Sequence, residues 1–312
     1  MLRGLRRLVI GCAVVLAALF TVSEIWPQRA AGVLISGLNA FSGLQPGVVE
    51  TSFGPVQYLE GGEGDTVVFL HGIFARKEHW IDMSRQVSDG YRVILLDLPG
   101  FGDNPQLEPA AYEYERQVQN VMQALDNMDV STFHIAANSM GAQIAGQIAT
   151  DDPSRVLSVA FIGSPVGVSS PIASDMELAL ANGEAPLVAT TQAIYDERMA
   201  WLFPKEPFLP RPIARSWAAA ELENGAYNAV IWEAVNGSNV PPLEDLAPDI
   251  AQPSLIVWCD QDRIFHISGA DVLHQALPDS TMVTPAGCGH LPMLDQPVET
   301  GGALRRFLDQ QS

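Results

Sequence analysis

The chain has 312 residues, with 17 lysines and arginines against 36 aspartates and glutamates, which gives a formal net charge of −19. A hydrophobic content of 47% excludes a disordered chain and suffices for the core of one large α/β domain or two small ones. The acidic balance excludes nucleic acid as a partner, because that binding needs clustered lysines and arginines, and it suits a neutral or apolar ligand better than an anion.

The first thirty residues form a segment separate from the globular body. Three arginines, at positions 3, 6 and 7, precede an apolar run from Leu8 to Val22. This arrangement predicts an uncleaved membrane anchor, with a cleaved secretory signal as the alternative and a buried helix as a third option. Because the arginines favour the cytoplasmic side, we expect the rest of the chain to lie outside the cytoplasm, anchored to the membrane or secreted or periplasmic after cleavage.

From residue 55 onward, short β-branched runs alternate with longer amphipathic stretches. This alternation is typical of βαβ units, so we expect a mostly parallel central sheet flanked by helices. The predicted strands are Thr66–Leu70, Tyr91–Leu96, Thr132–Ala137, Val156–Gly163, Leu255–Trp258 and Thr281–Val283. The predicted helices of this part are Lys77–Val87, Tyr112–Met128, Met140–Ala149 and Gly301–Leu308.

The alternation stops between Ser164 and about Pro253. This stretch is rich in Ala, Pro, Trp and Phe, and it contains the predicted helices Asp175–Ala181, Ala189–Leu202 and Pro212–Glu223. An insertion of this size between two strands predicts a cap over the carboxyl edge of the sheet, where open α/β folds bind ligands. The predicted organisation is residues 1–30 as the anchor or signal segment, 31–163 and 254–312 as the two parts of the core, and 164–253 as the helical cap.

A serine motif lies where a predicted strand meets a predicted helix. Residues 137–141 read Ala-Asn-Ser-Met-Gly, which matches the nucleophile-elbow pattern G-x-S-x-G with alanine in place of the first glycine. Small residues two before and two after Ser139 are needed because strand and helix approach closely across a sharp turn. The turn would expose the Ser139 hydroxyl and place the Met140 N–H at a helix N-terminus, which favours negative charge.

A histidine and an acid follow Ser139 in the order Ser, Asp, His. His290 stands between glycine-rich residues after the last predicted strand, which favours a general base over a buried structural histidine. Asp260 and Asp262 both follow the strand Leu255–Trp258, and spacing alone does not choose which of them orients the imidazole.

Five motifs together resemble the α/β-hydrolase fold family, over about residues 55 to 310. The motifs are Leu70-His71-Gly72-Ile73, residues 97–102, Asn138-Ser139-Met140-Gly141, Trp258–Asp262 and Gly289-His290. More closely, residues 70–80, 267–271 and 288–290 resemble the monoacylglycerol lipase-like members, some of which carry an N-terminal membrane anchor. The resemblance predicts an α/β-hydrolase fold in which the helical cap is inserted before the acid-bearing strand.

The resemblance also implies a role for each site residue. It implies Ser139 as nucleophile and His290 as base, selects Asp262 over Asp260, and assigns the oxyanion hole to the backbone N–H groups of Ile73 and Met140. No metal and no organic cofactor is required by this chemistry. We interpret His71 and Asp97 as residues that shape their loops.

Two residues depart from the family pattern, since Ala137 and Cys259 stand where glycine is usual. Cys259 has no explanation from the pattern alone. One alternative is a disulfide with Cys288 across two neighbouring loops, which requires an oxidising compartment.

An apolar cap together with a membrane anchor points to a lipid-like ester as the small-molecule partner. We expect the substrate pocket to contain Phe74 and the cap residues Trp201, Phe203, Trp217 and Trp232. The predicted function is hydrolysis of monoacylglycerol-like or medium-chain acyl esters through a Ser-His-Asp triad and an acyl-enzyme. The oligomeric state stays open.

Two other functions compete with ester hydrolysis. A carbon–carbon bond hydrolase of ring-cleavage products also carries Asn-Ser-Met-Gly, but Ile73-Phe74-Ala75 does not match its glycine-rich loop. A non-catalytic, hydrolase-like ligand receptor would not need the complete triad.

Overall fold

In this computed structural model, which describes residues 21, 23–185 and 187–311, an eight-stranded sheet runs through the body of the protein. The strands are β1 Gln45–Thr51, β2 Gly54–Gly61, β3 Asp65–Leu70, β4 Tyr91–Leu96, β5 Phe133–Ser139, β6 Val156–Pro165, β7 Ser254–Val257 and β8 Ser280–Val283. Their spatial order is β1-β2-β4-β3-β5-β6-β7-β8. The five neighbouring pairs β4–β3, β3–β5, β5–β6, β6–β7 and β7–β8 are parallel. β2 pairs antiparallel with both β1 and β4. The prediction of a mostly parallel sheet is confirmed.

Helices cover both faces of the sheet and build the cap. Within the described residues they are Pro27–Phe41, Ile81–Ser84, Tyr114–Asn127, Met140–Asp151, Asp175–Ala181, Gln192–Leu202, Arg211–Glu223, Gly225–Asn236, Leu243–Leu246, Ser268–Ala276, Pro292–Asp295 and Pro297–Leu308, with 3-10 turns at Lys77–Trp80, Pro109–Tyr112 and Ala247–Asp249.

Alternate residues of the central strands supply two apolar layers. In β3, Val68 and Leu70 belong to one buried cluster, and Val67 and Phe69 belong to the other. Successive side chains of a strand point to opposite faces, and parallel strands are covered on both faces. This burial fixes the register of the sheet and therefore the positions of the loops at its carboxyl edge.

The cap lies between β6 and β7 in the chain. β6 continues to Pro165, so Ser164, which the sequence places in the cap, ends a strand of the sheet. Helix Pro27–Phe41 packs against the cap helix Arg211–Glu223, and Glu24 forms an ion pair with Arg215 nearby.

The predicted helix Lys77–Val87 is wrong in its extent. The structure has a 3-10 turn at Lys77–Trp80, then a single α-helical turn at Ile81–Ser84. The backbone N–H of Lys77 donates to Asp97 at 2.7 Å, and the Ser84 hydroxyl donates to the Ile81 carbonyl at 2.9 Å. Such side-chain bonds satisfy backbone groups without a continuing helix.

The predicted anchor, Leu8–Val22, lies outside the described residues apart from Thr21. Among the helices that the structure does describe, none combines the length and the hydropathy needed to cross a bilayer.

Candidate active site

Ser139 lies on the sharp turn between β5 and helix Met140–Asp151. Its φ of 54° and ψ of −117° lie where residues with a side chain are rarely found, so surrounding packing must hold the turn. A Cβ atom at Gly141 would lie 2.5 Å from the His71 carbonyl oxygen, which explains the glycine after the turn. Ala137 is fully buried, and its methyl group is accommodated before the turn. The elbow thus presents Ser139 at the carboxyl edge of the sheet.

The backbone of His290 is held between the cap and the residue before Ser139. Its N–H donates to the carbonyl of the cap residue Leu202 at 3.0 Å. Its carbonyl accepts a hydrogen bond from Asn138 Nδ2 at 3.2 Å, and the same nitrogen donates to the Ile162 carbonyl at 2.8 Å. Asn138 therefore ties the histidine loop to β5 and β6.

The structure brings Asp262, and not Asp260, to the imidazole. Asp262 Oδ2 lies 3.1 Å from His290 Nδ1, while Oδ1 accepts the backbone N–H of Ile264 at 2.8 Å and of Phe265 at 3.2 Å. Asp260 instead accepts the backbone N–H at residue 287 with a 2.7 Å bond. Both oxygens of the Asp262 carboxylate are thus hydrogen-bonded, which orients it toward the ring.

A disulfide joins the acid-bearing loop to the histidine loop. Cys259 and Cys288 are bonded, with their Cα atoms 5.3 Å apart, and both are fully buried. The two cysteines precede Asp262 and His290 by three and two residues. The bond therefore restrains the two loops whose relative position sets the distance between carboxylate and imidazole.

A third side chain, Ser164, contacts both members of this pair. Its Oγ lies 2.6 Å from Asp262 Oδ2 and 2.8 Å from His290 Nδ1, and Ser164 is fully buried. Ser164 is not among the predicted site residues, because the alternation of strands and helices stops at this position and Ser164 therefore falls at the start of the predicted cap. The only signal for Ser164 in the sequence is that Ser164-Pro165 directly follows the predicted buried strand Val156–Gly163, and this signal is weak alone.

The loop after β3 carries the first of the two predicted oxyanion donors. Ile73 lines the same cavity as Ser139. A Cβ atom at Gly72 would lie 3.0 Å from the Ser139 Cβ, so this loop passes directly over the nucleophile candidate. Met140, the second predicted donor, begins the helix after Ser139, and an N–H in the first turn of a helix has no partner within the helix.

Both ring nitrogens of His71 contact backbone groups, which helps to fix that loop. Its Nδ1 lies 2.7 Å from the Gly72 carbonyl oxygen, and its Nε2 accepts the Leu98 N–H at 2.9 Å. Burial lowers the pKa of His71 to about 4, against the opposing charge of Asp97. The ring is therefore neutral at pH 7, and its 3.8 Å contact with Asp97 is not an ion pair there.

Asp97 holds the same loop through Lys77. The ammonium lies 2.8 Å from Asp97 and 2.6 Å from Asp103. Despite burial, the nearby carboxylates raise the pKa of Lys77 above its usual value, so the lysine stays charged. This geometry agrees with the interpretation of Asp97 as loop structure.

Asp295 also holds the histidine loop. One of its oxygens accepts the Gly289 N–H at 2.7 Å. Burial raises the pKa of Asp295 to about 6, and the charge of Asp262 acts in the same direction. Asp295 therefore changes its charge near neutral pH, next to the base candidate.

Ser139 and His290 line one small cavity of about 50 Å³ between the core and the cap. Its lining includes Phe74 and, from the cap, Leu187, Arg198 and Leu202. A neighbouring cavity of about 60 Å³ shares several of these residues and is also lined by Phe203 and Trp217. Trp201 and Trp232 line neither cavity and instead pack in an apolar cluster with Ile264.

Three nitrogen atoms of the second cavity's lining residues lack a hydrogen-bond partner among the described residues. They are His79 Nδ1, Arg198 Nε and Trp217 Nε1. Arg198 is otherwise paired with Glu221 at 2.6 Å. Burial, with the charge of Arg76 as a smaller cause, lowers the pKa of His79 well below its usual value. Arg198 Nε and Trp217 Nε1 are hydrogen-bond donors, whereas the role of Nδ1 in a neutral His79 depends on its tautomer. All three atoms are buried in residues that line the cavity.

Comparisons with known proteins place the chain among hydrolases. The family model described as alpha/beta hydrolase fold matches residues 65–297. Lipase 1 of Psychrobacter immobilis is 28% identical over 263 residues, covering 81% of each chain. Monoacylglycerol lipase ABHD6 of Mus musculus is 23% identical over 256 residues, covering 79% of this chain and 76% of the relative.

Two solved structures resemble this one. A membrane phospholipase A, described as a bacterial virulence factor, has a TM-score of 0.88 and 31% identity, with 98% of this chain and 99% of the other covered. A putative lipase from Acinetobacter baumannii has a TM-score of 0.84 at 19% identity, covering 90% of this chain and 96% of its own. The chain thus belongs to the alpha/beta hydrolase fold family, and it is a hydrolase of the lipase and esterase type.

Proposed function

We propose that this protein is a serine carboxylic-ester hydrolase that forms an acyl-enzyme on Ser139. One observation carries the proposal: Ser139 and His290 line a single cavity, and the His290 Nδ1 is held by Asp262 at 3.1 Å. An imidazole whose Nδ1–H is engaged keeps its Nε2 lone pair, which a general base requires.

The reaction then uses groups of the chain and one water. His290 takes the Ser139 proton through Nε2 while Oγ attacks the ester carbonyl, and the same proton passes to the leaving alcohol. Water attacks the acyl-enzyme with His290 again as the base, which releases the carboxylic acid. Asp262 stabilises the imidazolium in both halves without taking the proton.

The backbone N–H groups of Ile73 and Met140 would stabilise the oxyanion of both tetrahedral intermediates. Donors of this kind are each worth roughly 100- to 1,000-fold in kcat. The close passage of the Gly72 loop over Ser139 and the helix that begins at Met140 support this assignment.

For the substrate we propose an acyl ester with an oxygen-bearing alcohol, such as a monoacylglycerol, with a medium-length chain as the acyl part. Phe74, Leu202 and Leu291 give the cavity beside Ser139 apolar walls. Arg198 and Trp217 line the neighbouring cavity, and Arg198 Nε and Trp217 Nε1 are buried donors without a partner among the described residues. Hydroxyl or ester oxygens would accept from them once the side chains around them move. Because each cavity is smaller than a medium acyl chain, side chains of the cap must move when the ester enters.

We further propose that the N-terminal segment holds the enzyme at a membrane with the catalytic domain outside the cytoplasm, or directs its secretion. The disulfide between Cys259 and Cys288 supports an oxidising compartment, because structural disulfides rarely persist in the cytosol. Localisation of the full chain by fractionation, with thiol labelling before and after reduction, tests this part.

The proposed reaction is tested with purified full-length protein on p-nitrophenyl esters from acetate to laurate and on a monoacylglycerol. We expect hydrolysis, stoichiometric labelling of Ser139 by a fluorophosphonate, and loss of both in Ser139→Ala. Labelling without hydrolysis of any of these esters would refute ester hydrolysis, and unchanged hydrolysis by Ser139→Ala would refute the assigned nucleophile.

A further inference from the structure

Ser164 closes a triangle of contacts with the acid and the base. The hydroxyl oxygen lies 2.6 Å from Asp262 Oδ2 and 2.8 Å from His290 Nδ1, both closer than the 3.1 Å between Asp262 and His290 themselves. The side chain of His290 is 4% exposed and that of Asp262 is 0% exposed, so no solvent competes for these bonds. Hydrogen bonds to a buried charged group are about twice as strong as neutral ones.

The end of β6 is built to hold Ser164 at this point. Gly163, directly before it, has a φ of +79°, and a Cβ atom there would lie 2.5 Å from Asn138 Nδ2 and 2.6 Å from the His290 carbonyl oxygen. Only glycine fits such a position without strain. Pro165 then pairs with Ser139 in the sheet register, so the two serines lie on neighbouring strand ends.

We propose that Ser164 is a positioning residue of the reaction, whose hydroxyl couples His290 to Asp262 in addition to their direct contact. The inference rests on the proposed function of Ser139, His290 and Asp262.

The chemistry of the three groups fixes the direction of each bond. The carboxylate only accepts, so the Ser164 hydroxyl donates to Asp262 and its oxygen is free to accept. Two acceptors then face Nδ1, which keeps the proton on Nδ1 and the lone pair on Nε2 next to the substrate cavity. Two contacts also restrain ring rotation better than one contact at 3.1 Å.

The experiment compares Ser164→Ala with Ser158→Ala. Ser158 is a matched control because it lies on the same strand, is almost fully buried, and its hydroxyl lies 2.8 Å from His134 Nδ1. We expect Ser164→Ala to lower kcat by about ten- to a hundredfold, the loss typical of a hydrogen bond to a charged group. KM should not change, because Ser164 is not among the residues that line the cavity at Ser139. Ser158→Ala should keep the wild-type kcat.

Fluorophosphonate titration gives the fraction of active protein, and kcat is normalised to this fraction. A variant that folds poorly is therefore not mistaken for one with a lower kcat. Ser164→Thr keeps the hydroxyl and should restore kcat to within about threefold of wild type. A second readout is the double variant Asp262→Ala with Ser164→Ala. Without the Asp262 carboxylate the Ser164 hydroxyl is no longer oriented, so adding Ser164→Ala to Asp262→Ala should lower kcat by less than about twofold.

Three results would overturn the proposal: normalised kcat of Ser164→Ala within twofold of Ser158→Ala, a folded Ser164→Thr as slow as Ser164→Ala, or full additivity with Asp262→Ala. If instead wild-type protein hydrolyses none of the esters, the proposed function itself fails, and the two failures are therefore distinct.

Discussion

Removing the disulfide between Cys259 and Cys288 should lower stability far more than it lowers activity at moderate temperature. The bond closes a loop with a sequence separation of 29 residues. Restricting the unfolded chain by a loop of this length stabilises the folded state by roughly 3.5 kcal/mol. For a domain of this size, each kcal/mol shifts Tm by about 2–4 °C, so Cys259→Ala with Cys288→Ala should lower Tm by about 7–14 °C.

Activity should survive because other bonds hold the same two loops together. The Gln261 N–H donates to the Cys288 carbonyl at 3.1 Å and the Asp260 N–H to the Pro285 carbonyl at 3.3 Å, while Asp260 accepts the Gly287 N–H at 2.7 Å. These bonds keep Asp262 near His290 while the protein is folded. At 20 °C we expect kcat within about threefold of wild type.

The assay is thermal unfolding followed by circular dichroism, together with ester hydrolysis at 20 °C. Cys12→Ala is the control, since it removes the remaining cysteine and should leave Tm unchanged. A Tm shift below about 3 °C would refute the loop-closure reasoning. A kcat loss above a hundredfold at 20 °C would refute the role given to the backbone bonds.

Three further predictions concern the cavity, the histidine loop and the end of β6. Trp217→Phe removes a buried, unpartnered N–H from a residue that lines the second cavity, and it should lower the kcat/KM ratio of a monoacylglycerol to its matching methyl ester by about three- to tenfold. Trp80→Phe removes a buried, unpartnered indole N–H elsewhere and should leave that ratio unchanged. Equal ratios in both variants would contradict the donor role of Trp217. The pKa of Asp295 is raised to about 6, so the stability that its protonated form contributes is complete below the unfolded pKa and is lost as pH rises through 6. Asp295→Asn should therefore have a higher Tm than wild type at pH 7.5 but not at pH 4. A Tm difference that does not depend on pH would disprove this titration. Gly163→Ala should lower kcat at least tenfold, because its Cβ would meet Asn138 and His290. Gly183→Ala is the control: Gly183 has a φ of +81° and nothing within 4 Å of a Cβ, so this variant should keep kcat and lose only about 1 kcal/mol of stability. Equal kcat in the two variants would argue against the close packing at Gly163.

Local patterns predicted much of the fold because they report local physics. Burial on both faces makes parallel strands such as β3 and β4 continuous apolar runs, and these runs were visible in the sequence. β1 was not predicted, because on this edge strand only Val49 is buried. The elbow around Ser139 was recognisable because its steric demand for small neighbours falls on adjacent residues.

The sequence by itself thus determined the alternation of strands and helices, the turn that presents Ser139, and the order in which serine, acid and histidine follow. Residue spacing left Asp260 and Asp262 both open, and only the family resemblance selected Asp262. In the tertiary structure the Asp262 carboxylate lies against the imidazole, whereas Asp260 accepts a backbone N–H. The tertiary structure also decided that Cys259 bonds to Cys288. It also brought Ser164, 98 residues from Asp262 and 126 from His290 along the chain, into contact with both. Such contacts depend on sheet order and on the packing of distant loops, which periodicity and spacing do not encode, because each pattern describes a segment and not what that segment meets.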